Sequence, residues 1–264
     1  MAIVGLANLL VGACVGMTGF AGFLLPMLYA GFFGMPPVEG MALAFSAFVV
    51  SGLVGCPAYR RTGDLPLHDS LGLLAGSFVG ALLGTRVGLL LPSAVLTVVL
   101  YVVVLVSGGS VLVQMVQGRR RARAVAAGDV RAAREVAASV RTPGTAVYVL
   151  TGFVTAVICA ASGAGGPVLV VPVLLLLGAP ARRAVGMSLL DSVAVSLPAA
   201  VGYLAGGGIS AGAWALLPVA LVTHGVGAVA GAANAHRIDA PTLKTVVAVG
   251  AVGVALVKLA LLVI

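Results

Sequence analysis

The stretch "CAASGAGGPVLVVP", Cys159 to Pro172, sets Ser162, Gly163, Gly165, Gly166 and Pro167 inside a long uncharged apolar run. If a helix restarts after these glycines, Pro167 suits its first turn, because the N–H it lacks would be unpaired there anyway. The N–H groups of Gly165 and Gly166 would then be free, with the positive end of the helix dipole beside them. Small side chains allow close approach, and together these features make an anion site. A second break, "GMTGFAG" from Gly16 to Gly22, offers a weaker copy through Gly19 and Gly22, with the Thr18 hydroxyl added. The competing reading is close helix–helix packing through small residues.

Three ionisable side chains lie in other apolar stretches. Asp191, in "GMSLLDSVAVSLP", is flanked by Ser188 and Ser192. A carboxylate in lipid is costly and faces a cavity or a partner. It can take a coupling proton or sodium ion, or it can pair with Arg86 or backbone donors. His224, in "LVTHGVGAVAG", can relay a proton near neutral pH or simply pack between helices. Arg86, in "GTRVGLLLP", can bind a substrate anion or reach the interface with its long stem. Glu39 falls at a segment boundary, where solvation is expected.

The elements that hold these residues follow from composition. The chain has 264 residues, 61% hydrophobic and 8% charged, with a mean hydropathy of +1.21. That excludes a soluble globular domain and implies an all-α integral membrane protein. Eight apolar segments cover roughly 2–33, 38–59, 69–91, 94–117, 144–178, 184–205, 211–235 and 241–263. The first has no basic n-region and is too long for a signal peptide, so it is expected in the mature protein. Segments one and five are about 32 and 35 residues long, against the ~20 a helix needs to cross. Each carries its break near the middle, so each is expected to be broken or re-entrant at mid-membrane.

Four matches suggest that the halves are copies. Pro26 matches Pro172, Gly34-Met35-Pro36 matches Gly178-Ala179-Pro180, and Tyr59 with Gly63 matches Tyr203 with Gly207. Gly80-Ala81 with Gly84 matches Gly227-Ala228 with Gly231. The offsets run from 144 to 147 residues. The expected organisation is a first membrane repeat over 1–117, a basic linker over 118–143 and a second repeat over 144–264. The two glycine pairs at i and i+4 read as helix-packing surfaces.

The net charge of +8 is a topology signal rather than a nucleic-acid footprint, for seven of the 13 arginines lie between Arg119 and Arg141 and no aromatic–basic platform accompanies them. That linker, solvated or partly helical at the surface, is expected in the cytoplasm of a multi-pass cell-membrane protein. If segments one and five cross fully, Arg182, Arg183 and Arg237 fall outside. If both dip in and return, these three join Arg60 and Arg61 inside with the linker, and the repeat is inverted. The second arrangement obeys the positive-inside rule better. Cys14, Cys56 and Cys159 show no ligand spacing and read as small buried hydrophobes. No metal or cofactor is expected, and lipid-facing helices leave both a monomer and a homodimer open.

The segment "GAGGPVLVVPVL", Gly163 to Leu174, resembles the glycine-rich signature of the TauE/SafE family of sulfite and organosulfonate exporters. The next stretch, "GAPARRAVGMSLL", Gly178 to Leu190, is similar to the family's as well. The resemblance spans essentially the whole chain. It implies that Gly163, Gly165 and Gly166 line a path for small anions, including sulfite, sulfoacetate and other sulfonates or carboxylates. The first half departs from the pattern, with Phe20 and Ala21 where glycines would be expected. A secondary transporter of small anions is the leading function, since no Walker motif indicates ATP drive. A passive channel is the alternative. An intramembrane protease using Ser162 and His224 is the remote one, because the rhomboid-type glycine before the serine is missing.

Overall fold

A computed structural model describes residues 1–19, 21–129, 143–165, 167–206, 208–235 and 240–263. Every described element is helical. The first half comprises α1 (Ala2–Thr18), a 3-10 turn (Ala21–Phe23), α2 (Leu24–Gly31), α3 (Pro37–Arg61), α4 (Leu67–Leu90) and α5 (Ser93–Ala126). The second comprises α6 (Thr145–Ser162), α7 (Pro167–Leu176), α8 (Ala181–Gly206), α9 (Ala211–Asn234) and α10 (Ala240–Val263). Six of these, α3, α4, α5, α6, α8 and α9, are long and apolar enough to cross a membrane. Helix α5 runs on through Arg119–Arg123, so the start of the basic linker extends a helix. Linker residues 130–142, with Arg131, Arg134 and Arg141, lie outside the described residues, as do Gly207 and Arg237.

Proline and glycine punctuate the chain. Pro36, Pro66 and Pro92 sit at the N-caps of α3, α4 and α5, where a proline φ is already set and little N–H is wasted. Gly19 and Gly163 end α1 and α6 in the left-handed region, at φ 71° and 77°. Only glycine adopts that conformation at small cost.

Two contacts define the ends of the bundle. Asp64, just past α3, pairs with Arg182 at the start of α8, at 2.8 Å. Glu39, at the start of α3, accepts hydrogen bonds from the Ser210 N–H and hydroxyl, just before α9. Glu39 is therefore fixed to the other half rather than left to solvent alone. Helices α3 and α8 consequently run antiparallel through the centre.

The directions of segments one and five follow. Helix α1 packs alongside α9, with Gly12 against His224 and Gly16 against Ala228, so it enters from the Glu39 end. The chain must return to that end to begin α3. Asn8 and Tyr29 show the return directly, with the Asn8 Nδ2–Tyr29 Oη contact at 2.8 Å. In a straight helix those residues would be about 30 Å apart. Helix α6 packs alongside α4, with Thr145 near Gly72 and Val157 near Gly84, so it enters from the Asp64 end and the chain returns there for α8. Both segments are re-entrant. Arg60, Arg61, Arg119, Arg120, Arg182 and Arg183 thereby share one end of the bundle.

The small-residue stripes make this packing possible. A Cβ on Gly80 or Gly84 would collide with the Phe153 or Val157 carbonyl, and one on Gly227 or Gly231 with that of Leu9 or Ala13. The pairings mirror each other, since the first helix of each half lies against the fourth of the other. Outward faces carry Leu71, Phe78 and Leu82 on α4, Leu150 and Val154 on α6, and Val222 and Val226 on α9, all exposed. Lipid is the solvent such a surface suits.

Breaking a helix inside this bundle leaves carbonyls without partners. Tyrosines meet them. The Tyr59 hydroxyl donates to the Gly16 carbonyl at 3.0 Å, and the Tyr203 hydroxyl to the Ala160 carbonyl at 2.8 Å. Each bond joins residues 43 apart, and the two bonds stand 144 residues apart in the chain.

We expect Tyr203→Phe to lower stability by about 1–3 kcal/mol, the usual cost of an unpaired buried acceptor; unchanged denaturation in detergent would contradict the capping role. The Asp64–Arg182 pair makes a pH prediction. Partial burial alone would raise the Asp64 carboxyl, but the Thr62 hydroxyl bond, the Arg182 bond and the Arg182 and Arg183 charges outweigh it and hold it below its usual value. A lowered carboxyl contributes stability above its ordinary titration range and loses it as pH falls through and below that range. With Arg182 half exposed, the contribution is discounted to about 0.2–1 kcal/mol. Melting of wild type and Asp64→Asn should differ by a constant small amount from pH 8 to about 5 and converge only in stronger acid.

Candidate functional site: where two helix breaks meet

The two breaks approach from opposite ends and come together beside the middle of α3. The position a Cβ would take on Gly22 lies 3.7 Å from the Ala164 carbonyl oxygen and 3.4 Å from the Phe48 ring. The equivalent position on Gly165 lies 2.7 Å from Phe48 Cε2, and that on Gly163 lies 2.6 Å from Met41 Cγ. Phe48 thus stands between the breaks, and Gly165, at φ 84°, can be replaced neither sterically nor conformationally without movement. The helix caps themselves are displaced from the centre. Gly19 lies against Val185, near the start of α8, and Gly163 against Met41, near the start of α3. Gly166 lies outside the described residues.

The hydroxyls predicted from sequence gather here, each bonded to backbone. Ser188 reaches the Val185 and Gly19 carbonyls at 2.8 and 3.4 Å. Ser192 reaches those of Leu189 and Phe48 at 2.7 and 3.4 Å. Thr18 donates to the Cys14 carbonyl. Ser162 turns back to the Cys159 carbonyl and accepts the Ala164 N–H at 3.3 Å, which ties the first residues after the break to the end of α6. In this conformation the hydroxyl donors are engaged with protein, so the site is closed.

Asp191 and His224 flank this centre on different sides. Asp191 is fully buried and faces the Ser77 hydroxyl of α4, and none of these side-chain oxygens closes a hydrogen bond. A charged carboxylate so placed costs several kcal/mol unless a cation joins it. The His224 Nδ1 lies 3.2 Å from the Asn8 carbonyl, its ring stands edge-on to Phe48 at 5.8 Å, and its Nε2 has no partner. Arg86 joins neither group. It is exposed, near the Glu39 end, in a cavity of about 560 Å³ between α4 and α8 with Thr85, Leu197 and Val201. An Asp191–Arg86 pair is absent.

Sequence reading did not single out Phe48, Met41, Ser77 or Asn8. For Ser77 and Asn8 the signal was present, a polar side chain in an apolar segment. For Phe48 and Met41 none exists, since an aromatic or a methionine in an apolar helix is ordinary. Tyr59 and Tyr203 were legible only as repeat markers.

No curated protein and no solved structure matches the chain. The sequence profile of the family described as Sulfite exporter TauE/SafE matches residues 2–257, from the start of α1 into the last turns of α10. With that match spanning both re-entrant hairpins and nearly every helix around them, the chain belongs to the TauE/SafE sulfite exporter family of membrane transporters.

Proposed function

We propose that the chain is a secondary transporter that carries sulfite or a small organosulfonate through the point where the two breaks meet. The observation that supports this most is the convergence of Gly22, Ala164 and Gly165 on Phe48 from opposite ends of the bundle. Irregular backbone at this depth is tolerated where it lines a path or is buried in protein. Two breaks that meet beside Phe48 suit alternating access, in which the halves rock and expose the centre to one end at a time. The Asp64–Arg182 contact would close one end and the Glu39–Ser210 contact the other. The shared end of Arg60, Arg61, Arg119, Arg120, Arg182 and Arg183 is then cytoplasmic by the positive-inside rule.

The substrate anion would displace Phe48 and take donors from the breaks, with Thr18, Gly19, Gly22, Ser162, Gly163, Gly165, Ser188 and Ser192 as its surroundings. Asp191 would carry the coupling proton, since an unpaired carboxylate in a dry interior is stable only with a cation. His224, with one free ring nitrogen, is the second coupling candidate.

Proteoliposomes test both parts. Accumulation of labelled sulfite or ethanesulfonate should rise with an imposed pH gradient, and Asp191→Asn should abolish that rise while gradient-free exchange persists. Accumulation independent of the gradient in wild type would remove the coupling. Gly165→Ala should slow exchange roughly tenfold or more, the scale of ~1–2 kcal/mol from the left-handed backbone plus the clash with Phe48. Adding Phe48→Ala should restore part of that rate, and an unaltered rate in Gly165→Ala would place the path elsewhere.

A further inference from the structure

At the Glu39 end, a cavity of about 410 Å³ opens between the end of α2, the start of α5 and the last turns of α10. That is within the range of small-ligand pockets. Its polar lining comes from Lys258, Tyr101, Ser93 and Thr97, with Met35 and Leu261 among the apolar members. Lys258 Nζ donates to the Gly31 carbonyl at 2.9 Å and lies 5.5 Å from the Phe32 ring centre. This caps the C-terminal end of α2, a sufficient structural role for one of its three donors. Among the described residues no carboxylate pairs with it, and Glu39 is engaged with Ser210.

Tyr101 gives the second, independent observation. Its side chain is 2% exposed, yet its hydroxyl makes no hydrogen bond with the described residues and borders the cavity. The ring is buried, and the hydroxyl is left to whatever fills the cavity. The point where a Cβ on Gly31 would sit lies 2.8 Å from Tyr101 Oη and 3.9 Å from Lys258 Nζ. Both groups therefore flank Gly31 on the cavity wall, close enough together for the oxygens of one acid group in the cavity to meet an O–H and an ammonium at once.

We propose that this cavity is an anion-binding site, distinct from the helix breaks, that holds an acid group between Lys258 and Tyr101. The same chemistry fits the sulfonate or carboxylate of a free organic anion and the phosphate of a lipid headgroup. It stands apart from the transport reading, because it concerns other residues and a binding readout.

The test uses the full chain in dodecyl maltoside micelles, which carry no acid group. An amine-acetylating reagent is applied and modification of Lys258 is read by peptide mass spectrometry, with Lys244 as internal reference. Ethanesulfonate should slow acetylation of Lys258 roughly fivefold or more, and the neutral ethyl methyl sulfone should not. Tyr101→Phe keeps the Lys258–Gly31 bond, so a purely capping lysine would respond identically. On the proposal, that variant needs roughly tenfold more ethanesulfonate for the same protection, the usual worth of one hydrogen bond to a charged group. If nanodiscs containing phosphatidylglycerol protect Lys258 with no sulfonate added, the occupant is a lipid headgroup. Protection by neither anion, equal protection by the sulfone, or no effect of Tyr101→Phe overturns the proposal.

Discussion

A backbone carbonyl left unpaired inside an apolar bundle governs much of this architecture. Re-entrant segments must end a helix where no water can satisfy its last carbonyls. Tyr59 and Tyr203 supply the missing donors at Gly16 and Ala160. Because each tyrosine stands near the far end of a central helix, the bond also fixes how deep each break sits. The left-handed glycines at positions 19 and 163 complete the turn without strain.

With the breaks so anchored, the rest of the packing follows a pair of exchanges. Each half lends its first helix to the fourth helix of the other, along stripes where a Cβ would strike backbone. Such close approach gains dispersion contacts that lipid cannot match in kind, and it lets backbones of different halves touch. The two central helices cross antiparallel, and Ser192 bonds to the Phe48 carbonyl, 144 residues away, at the crossing itself. That is the separation of Tyr59 from Tyr203, and of Gly19 from Gly163.

The centre is therefore crowded by construction. Serines 188 and 192 donate to carbonyls at their own helix's preceding turn and reach backbone of the first half. Phe48 fills the space between the breaks. Among the described residues, buried polar groups without partners stand to the side and include Asp191, Ser77 and the free nitrogen of His224. The centre of this conformation is closed and apolar, with unpaired ionisable groups beside it.

Much of this was legible in the residues alone. Hydropathy marked the apolar segments, because transfer into lipid is a sum over local side chains. The glycine and proline clusters marked both breaks, because φ restrictions act residue by residue. Charge placement favoured hairpins over full crossings, and Asn8 meeting Tyr29 realises the first of them. What came only from tertiary structure was partnership. Asp191 stood as a charge facing a cavity or a partner, and Arg86 as an anion ligand or an interfacial side chain; the first faces an interior with no counterion among the described residues, the second an exposed groove. Whether a side chain in an apolar helix meets lipid, a neighbouring helix or the opposite break depends on helix rotation and crossing. Those are set by the exchange of helices between halves, at separations that no local pattern encodes.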